Sequence, residues 1–198
     1  MSDAKTLSVY AAKAAEYAKL TSGEEASPSL LRFISALPQG ARTLDIGCGP
    51  GFAAGAMAAA GMEAEAWDPV PEMVAMAAER TGVRAREATY SELREADAYD
   101  GIWCNFSMLH TPLTAWPDQF TSIARALRPG GLLHFGTKLG VGEKRDGIGR
   151  LYSYMTESAL LALLGQTGFT VEYSRTGEEK GLDGKLAPFI VLQARNRA

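Results

Sequence analysis

Histidine and cysteine are scarce in this chain, which has two of each among its 198 residues. Cys48 and Cys104 lack the spacing of metal ligands, and both fall at predicted strand ends, where a small thiol packs well. We therefore expect unreactive core thiols and no metal site. His134 lies within a predicted strand and is expected to be structural, whereas His110 follows the end of another strand.

Long apolar runs and an excess of positive charge are also missing. The longest uncharged, largely apolar stretch, residues 52–62, is too short to cross a bilayer. A formal net charge of −3 gives no basic field for a nucleic acid. The first residues are polar and contain no apolar core of a signal peptide. These absences predict a cytoplasmic protein that binds neither membrane nor nucleic acid, and they leave its oligomeric state open.

The pattern that is present favours one α/β domain, which a chain of this length can fill. From residue 42 onward, short β-like runs alternate with helical stretches, as in βαβ units with a parallel sheet. The predicted strands are 42–46, 63–67, 83–87, 101–105, 132–137, 169–175 and 189–194. The predicted helices are 7–20, 29–37, 52–60, one that starts at Pro71, 113–127 and 156–167. The last two strands follow each other without a helix, which predicts an antiparallel hairpin joined by a loop at 176–188.

A glycine-rich turn follows the first predicted strand. Gly47, Gly49 and Gly51 permit positive φ and leave room for a ligand against the backbone, with amides that can point into the crevice above the sheet. The dinucleotide fingerprint needs a glycine where Phe52 stands, which argues against a nicotinamide or flavin oxidoreductase. Asp45 would repel a pyrophosphate and attract a cationic ligand. An ordinary strand-to-helix turn in another α/β protein is the alternative.

With Asp45 before it, this Gly-x-Gly-x-Gly turn resembles motif I of class I S-adenosylmethionine-dependent methyltransferases. Asp68 follows the second predicted strand, where that family places an acid on the cofactor's ribose. A carboxylate suits this place because it can accept hydrogen bonds from two hydroxyls at once. Segments 99–105 and 127–133 are similar to the family's fourth-strand motif and its turn into the fifth strand. The resemblance extends from Tyr10 to the last strand.

The resemblance implies a Rossmann-like, doubly wound sheet of seven strands in the order 3-2-1-4-5-7-6, with strand 7 antiparallel and helices at the N-terminus. It divides the single domain, 1–198, into a helical cover (1–40), a cofactor-binding core (41–137), a substrate loop (138–155) and a C-terminal helix with hairpin (156–198). It implies S-adenosylmethionine as cofactor. The implied cofactor-binding residues are Tyr17, Asp45, Gly47, Cys48, Gly49, Asp68, Pro69, Met73, Ala88, Thr89, Asn105 and Phe106.

One departure from the family pattern concerns the loop after the third strand, residues 87–90. It has no Asp where the family usually meets the adenine amine. The backbone or Thr89 must make that contact, or it is missing.

The methyl acceptor is expected where the fourth strand ends. His110 lies there and could take a proton from an oxygen or nitrogen nucleophile, which makes it the candidate catalytic residue. Capping or packing at a helix start is the alternative. The predicted substrate loop combines glycines, cations and aromatic rings, as an anionic or planar acceptor would require, although a solvated connector explains the same residues. The candidate substrate contacts are His110, Lys138, Arg150 and Tyr152.

Two tyrosines share one face of the first predicted helix because they are seven positions apart. Tyr10 is expected to pack in the core. Tyr17 matches a tyrosine that in related chains reaches over the cofactor. The predicted function is methyl transfer from S-adenosylmethionine to a small molecule by in-line displacement. A sensor that binds S-adenosylmethionine or S-adenosylhomocysteine without catalysis, and a different transferase with the same type of donor, are the alternatives.

Overall fold

The computed structural model describes residues 3–22, 27–180 and 184–197. The helices are α1 (Ala4–Ala12), α2 (Ala14–Leu20), α3 (Pro28–Ser35), α4 (Phe52–Ala59), α5 (Pro71–Ala78), α6 (Trp116–Ala126) and α7 (Glu157–Gln166). The strands are β1 (Arg42–Ile46), β2 (Glu63–Asp68), β3 (Val83–Glu87), β4 (Tyr99–Asn105), β5 (Leu127–Lys138), β6 (Gly142–Arg145), β7 (Leu151–Tyr154), β8 (Phe169–Lys180) and β9 (Leu186–Asn196). Hydroxyl side chains of Ser27 and Thr156 cap α3 and α7.

The main sheet has seven strands in the order β3-β2-β1-β4-β5-β9-β8. Strands β1 to β5 pair in parallel, and β9 pairs antiparallel with both β5 and β8. The predicted sixth and seventh strands correspond to β8 and β9, so the predicted order and the antiparallel last strand are confirmed. The switch in strand order beside β1 places the carboxyl ends of β1 and β4 at one crevice, where such sheets bind ligands.

Helices cover both faces of this sheet. One face packs against aromatic and aliphatic side chains of α6 and α7, including Trp116, Phe120 and Leu160. The other face packs against α3, α4 and α5 and is rich in alanine. Small side chains let these helices approach the strands closely. Within the described residues, no helix is long and apolar enough to cross a membrane.

Several element bounds differ from the sequence prediction. The first helix is divided at Lys13, whose backbone is not helical, into α1 and α2. Helix α6 starts at Trp116 rather than at residue 113, because Pro117 fits only the first turn, where its missing amide costs nothing. A short 3-10 turn, Leu113–Ala115, precedes it. Strands β8 and β9 extend into the predicted 176–188 loop, part of which, 181–183, lies outside the described residues.

The predicted substrate loop is largely an antiparallel hairpin of β6 and β7. Its turn is closed by Asp146, whose Oδ1 accepts hydrogen bonds from the amides of Ile148 and Arg150. A single carboxylate thus holds two residues of the turn in place. The segment 138–155, predicted as a substrate loop, thus contains two paired strands that present side chains, and its role in substrate binding stays a prediction.

Candidate functional site

A cavity opens above the carboxyl ends of β1, β2 and β4. Ten of the twelve implied cofactor residues line it: Tyr17, Gly47, Gly49, Asp68, Pro69, Met73, Ala88, Thr89, Asn105 and Phe106. The fold thus brings together side chains from five separate segments of the chain. We call this space the donor cavity.

The glycine turn lies at the floor of the donor cavity. Gly47 and Gly49 have φ of +72° and +52°, in the left-handed region that favours glycine. The amides of Gly47 and Cys48 both donate to the carbonyl of Trp67, at 2.7 and 3.0 Å. The amides of the glycine turn were expected to point into the crevice, but that of Gly47 does not. The two bonds tie the turn to the end of β2 and so bring Asp68 beside it.

Asp68 is one of two acidic side chains that line the donor cavity, with Asp3, and is only 7% exposed. One carboxylate oxygen accepts from the Gly49 amide and the other from the Val70 amide, each at 2.9 Å. Burial raises the pKa of Asp68 to about 6. Each oxygen retains a free lone pair, because a carboxylate has about four acceptor positions. A buried acceptor with unused capacity suits a ligand that carries two neighbouring hydroxyls, so these residues fit the ribose of an adenosyl cofactor.

Asp45 and Cys48 are outside the lining of the donor cavity. Asp45 is 3% exposed, and its Oδ2 accepts from the Ala54 amide at 3.2 Å, near the start of α4. The Cys48 thiol donates to the carbonyl of Gly49, and burial raises its pKa well above the ordinary range. These contacts support a role in shaping the turn. Cofactor binding by Asp45 and Cys48 stays a prediction.

The loop after β3 lines another part of the donor cavity. The amide of Thr89 donates to a Glu92 carboxylate oxygen at 2.8 Å, and the Thr89 hydroxyl lies 3.0 Å from the same oxygen. The Ala88 amide donates to the carbonyl of Asp68. The adenine amine donates and needs an acceptor, so the contact expected at this loop stays a prediction for the Thr89 oxygen or a backbone carbonyl.

Sequence reasoning missed a polar network beneath the cavity. The Tyr90 hydroxyl lies 2.6 Å from the Ser107 hydroxyl and 2.9 Å from the Cys104 sulfur. Ser107 in turn donates to the carbonyl of Ile46 at 2.9 Å. Burial raises the pKa of the Cys104 thiol to about 11, as expected of an unreactive thiol. Tyr90 and Ser107 line the donor cavity and hold the ends of β1 and β4 together.

A second cavity adjoins the donor cavity. Four residues line both: Tyr10, Tyr17, Phe106 and His110. The four predicted substrate contacts, His110, Lys138, Arg150 and Tyr152, all line the second cavity. We call it the acceptor cavity. Phe106 has φ of +51°, a rare conformation for a residue with a bulky side chain, and such strain is concentrated at functional sites.

His110 is held on both sides of its ring where the two cavities meet. Its Nδ1 lies 2.6 Å from the carbonyl of Leu151, and its Nε2 lies 2.9 Å from the Tyr10 hydroxyl. Burial lowers the pKa of His110 to about 4, so the ring is neutral at pH 7. These contacts argue against direct proton removal from an acceptor by His110, and its catalytic role stays a prediction.

Tyr10 also accepts a hydrogen bond from Arg150, at 2.7 Å from Nη1. Arg150 is almost fully buried and its Nε donates to Asp146 at 2.8 Å. The ring of Tyr10 packs against the small cluster of Val70 and Met73. The ring of Tyr10 therefore packs in the core as expected. Its hydroxyl, for which no role was predicted, forms hydrogen bonds. The hydroxyl has two polar partners, His110 and Arg150, and the bond from Arg150 connects α1 to the hairpin segment.

Lys138 and Tyr152 complete the predicted substrate contacts. The Lys138 ammonium lies 3.1 Å from a Glu179 carboxylate oxygen, although the lysine is only 5% exposed. Tyr152 packs its ring edge-to-face against His110, at 4.8 Å between centroids, and stacks on Tyr154. The acceptor cavity thus combines aromatic faces with paired charges. Across the described part of the chain, no group of His, Cys, Asp and Glu side chains has the arrangement of a metal site.

Comparison with known proteins identifies the family. A family model described as a methyltransferase domain matches residues 15–174. The chain belongs to this methyltransferase domain family. S-adenosylmethionine is its cofactor, in agreement with the donor cavity built around Asp68.

Individual relatives of this methyltransferase domain act on different molecules. A ubiquinone biosynthesis O-methyltransferase of Xanthomonas axonopodis pv. citri is 34% identical over 124 residues, which cover 56% of this chain and 49% of that protein. The chain therefore spans about half the length of this curated relative. The crystal structure of 1,6-didemethyltoxoflavin-N1-methyltransferase of Burkholderia thailandensis, with S-adenosylhomocysteine bound, has a TM-score of 0.79 at 23% identity and covers 98% of this chain and 88% of that one.

A second solved structure shows that this fold is not restricted to one reaction. The [4+2]-cyclase SpnF has a TM-score of 0.66 at 18% identity, and the match covers 84% of this chain and 79% of that one. At such identity the likeness shows the fold alone. The chemistry must be argued from the residues of the site.

Proposed function

We propose that the protein transfers the methyl group of S-adenosylmethionine to a small-molecule acceptor held in the acceptor cavity. The observation that carries the proposal is that the donor and acceptor cavities adjoin and share Tyr10, Tyr17, Phe106 and His110. A direct transfer needs donor and acceptor in contact, with water excluded between them. The shared residues provide such a junction.

The cofactor supplies a methyl group already activated by its sulfonium. The protein's part is therefore to bind, align and shield the two reactants. Asp68 and the glycine turn hold the donor, and Phe106 and Tyr17 lie at the junction. If the acceptor's nucleophile, the methyl group and the sulfonium sulfur lie in line at this junction, the nucleophile can displace the sulfur directly.

A planar ring is the acceptor shape that the cavity favours. The rings of Tyr10, Phe106 and Tyr152 offer flat apolar surfaces, and Lys138 and Arg150 add cations near them. Two similar proteins are named as a ubiquinone biosynthesis O-methyltransferase and a 1,6-didemethyltoxoflavin-N1-methyltransferase, which supports a ring-bearing acceptor. We include Lys138, Arg150 and Tyr152 in this proposed acceptor site.

Calorimetry with S-adenosylhomocysteine tests donor binding. Asp68→Ala should weaken binding by about ten- to a hundredfold, because hydrogen bonds to a charged group contribute about 1.5–3 kcal/mol. Asp100→Ala is the matched control, since Asp100 also accepts a backbone amide, that of Arg42 at 2.8 Å, but lies at the opposite end of the sheet. Equal affinity in a folded Asp68→Ala variant would remove Asp68 from the site.

Methyl-labelled S-adenosylmethionine tests the transfer. Incubation with a protein-free metabolite extract should give a labelled small molecule in the presence of the protein. Tight binding of the cofactor without label transfer to any extract would favour the non-catalytic sensor. Transfer of another part of the cofactor would favour the alternative transferase.

A further inference from the structure

The junction between the two cavities contains few groups that could contact the reacting atoms. Of the four residues that line both cavities, Phe106 has no polar side-chain atom, and both ring nitrogens of His110 are already within hydrogen-bond distance of partners. The Tyr17 ring lies against the glycine turn, with Cε1 3.3 Å from where a Cβ on Gly49 would stand. The fourth residue is Tyr10, whose hydroxyl lies between His110 and Arg150.

The direction of the hydrogen bonds around Tyr10 follows from the chemistry of its partners. The Leu151 carbonyl can only accept, so Nδ1 of His110 carries the proton. Nε2 is then an acceptor, and the Tyr10 hydroxyl donates to it at 2.9 Å. Arg150 can only donate, so the Tyr10 oxygen accepts from it at 2.7 Å. A phenol oxygen with two acceptor positions thus keeps one of them.

This remaining lone pair cannot rotate away. The proton of the hydroxyl is fixed toward His110, and the guanidinium of Arg150 occupies one acceptor direction. Arg150 is itself fixed by Asp146, with both groups nearly inaccessible to solvent. The Tyr10 oxygen therefore has a single defined direction in which it can accept another hydrogen bond.

We propose that Tyr10 is the residue that contacts the reacting atoms: its phenol oxygen faces the methyl-bearing end of the donor and accepts a hydrogen bond from the proton on the acceptor's nucleophile. This inference rests on the proposed function and names a residue for it. His110 acts as a positioning residue, which orients the Tyr10 hydroxyl and does not itself touch the acceptor.

The test uses a ligand that places a hydrogen-bond donor at the reacting end without any acceptor molecule. In sinefungin, an amine-bearing carbon replaces the methyl-bearing sulfonium, whereas S-adenosylhomocysteine has no group at that place. Calorimetry with both ligands therefore isolates contacts to the methyl position. Tyr10→Phe should weaken sinefungin by about tenfold or more, as expected for loss of a bond to a charged donor, and change S-adenosylhomocysteine by less than about threefold.

Tyr17→Phe is the matched control, because it removes the other hydroxyl from the same junction. Its effect on the two ligands should be equal. A Tyr10→Phe variant that loses both ligands equally, or neither, would overturn the proposal, since a structural role does not distinguish the ligands. If S-adenosylhomocysteine fails to bind the unmodified protein, the proposed function itself fails, and this inference with it.

The positioning role of His110 has its own readout. Glutamine can donate to the Leu151 carbonyl and accept from Tyr10, whereas leucine can do neither. The ratio of sinefungin to S-adenosylhomocysteine affinity should therefore be retained in His110→Gln and lost in His110→Leu. The same ratio in both variants would show that His110 does not orient Tyr10.

Discussion

Arg145 binds Asp3 through two hydrogen bonds, each 2.8 Å, which join the start of α1 to the end of β6. A few residues along, the Thr6 hydroxyl accepts the amide of Leu151 at 2.8 Å. We call these two contacts the clasp. Asp3 and Thr6 line the donor cavity, as does Tyr10 of the same helix. The clasp therefore fixes a wall of the cavity to the hairpin.

Loosening the clasp should speed release of the cofactor product. Asp3→Asn removes the charge that Arg145 holds, and we expect S-adenosylhomocysteine to dissociate about two- to fivefold faster, the range for a partly exposed ion pair. Stopped-flow dissociation measures this. Glu172→Gln, which breaks the exposed pair with Arg195, is the control and should leave the rate unchanged.

The pH dependence of the clasp has a definite sign. Hydrogen bonds from Arg145 hold the pKa of Asp3 well below its usual range. The contribution of this pair is therefore present above the ordinary pKa of an aspartate and is lost only as the pH falls through the lowered value. The difference between Asp3→Asn and the unmodified protein should be constant from pH 6 to 8. A difference that changes in that interval would contradict the assignment to Asp3.

Binding of the cofactor product should weaken as the pH falls below 7. With its pKa raised to about 6 by burial, Asp68 is mostly protonated at pH 5, and only about a tenth of the molecules keep the carboxylate that accepts two hydroxyl protons. We expect S-adenosylhomocysteine affinity to fall about tenfold between pH 7 and 5. His110, whose pKa is lowered to about 4, stays largely neutral over this interval. Asp68→Asn should bind weakly and independently of pH, and calorimetry would show a retained slope if another group were responsible.

Removing Arg150 should destabilise the fold strongly. The guanidinium and Asp146 are 2% and 6% exposed, so Arg150→Ala leaves a buried carboxylate without its partner, at a cost of about 3–5 kcal/mol. Urea denaturation measures the loss. Arg195→Ala, which breaks an exposed pair, should cost no more than about 1 kcal/mol.

A double variant separates loss of the partner from loss of packing. Arg150→Ala with Asp146→Ala removes the unpaired charge and should recover part of the stability. If the double variant is as unstable as Arg150→Ala alone, the charge on Asp146 is not the cause.

The fold and the donor cavity were predictable because their signals are local. Glycine spacing, an acid at the end of a strand and the alternation of strand and helix each extend over a few residues, and parallel strands bring their carboxyl ends to one edge. Asp68 and Gly49 could therefore be placed together from the sequence. Asp45 shows the limit of this reasoning. Its place at a strand end was recognised, but not that its carboxylate accepts the Ala54 amide of α4.

The junction was not predictable from local patterns. Tyr10 meets His110 and Arg150 across 100 and 140 positions, and helical periodicity indicates only that it shares a face of the predicted helix 7–20 with Tyr17. The hairpin that presents Arg150 was interpreted as a loop because its turn depends on the side chain of Asp146. Contacts between residues so far apart in the sequence depend on tertiary packing, which overrides local conformational preferences.

Substitution of two glycines with similar backbone conformations distinguishes the effect of backbone strain from a loss of ligand binding. Gly49 and Gly130 have φ of +52° and +72°, so a valine at either position should cost about 1–2 kcal/mol or more of stability. A Cβ on Gly130 meets no atom within 4 Å, whereas one on Gly49 lies 3.3 Å from the Tyr17 ring beside the donor cavity. Gly49→Val should therefore abolish binding of S-adenosylhomocysteine in a folded protein, and Gly130→Val should bind normally despite its lower melting temperature. Normal binding by Gly49→Val in calorimetry would reduce the glycine turn to a connector between β1 and α4.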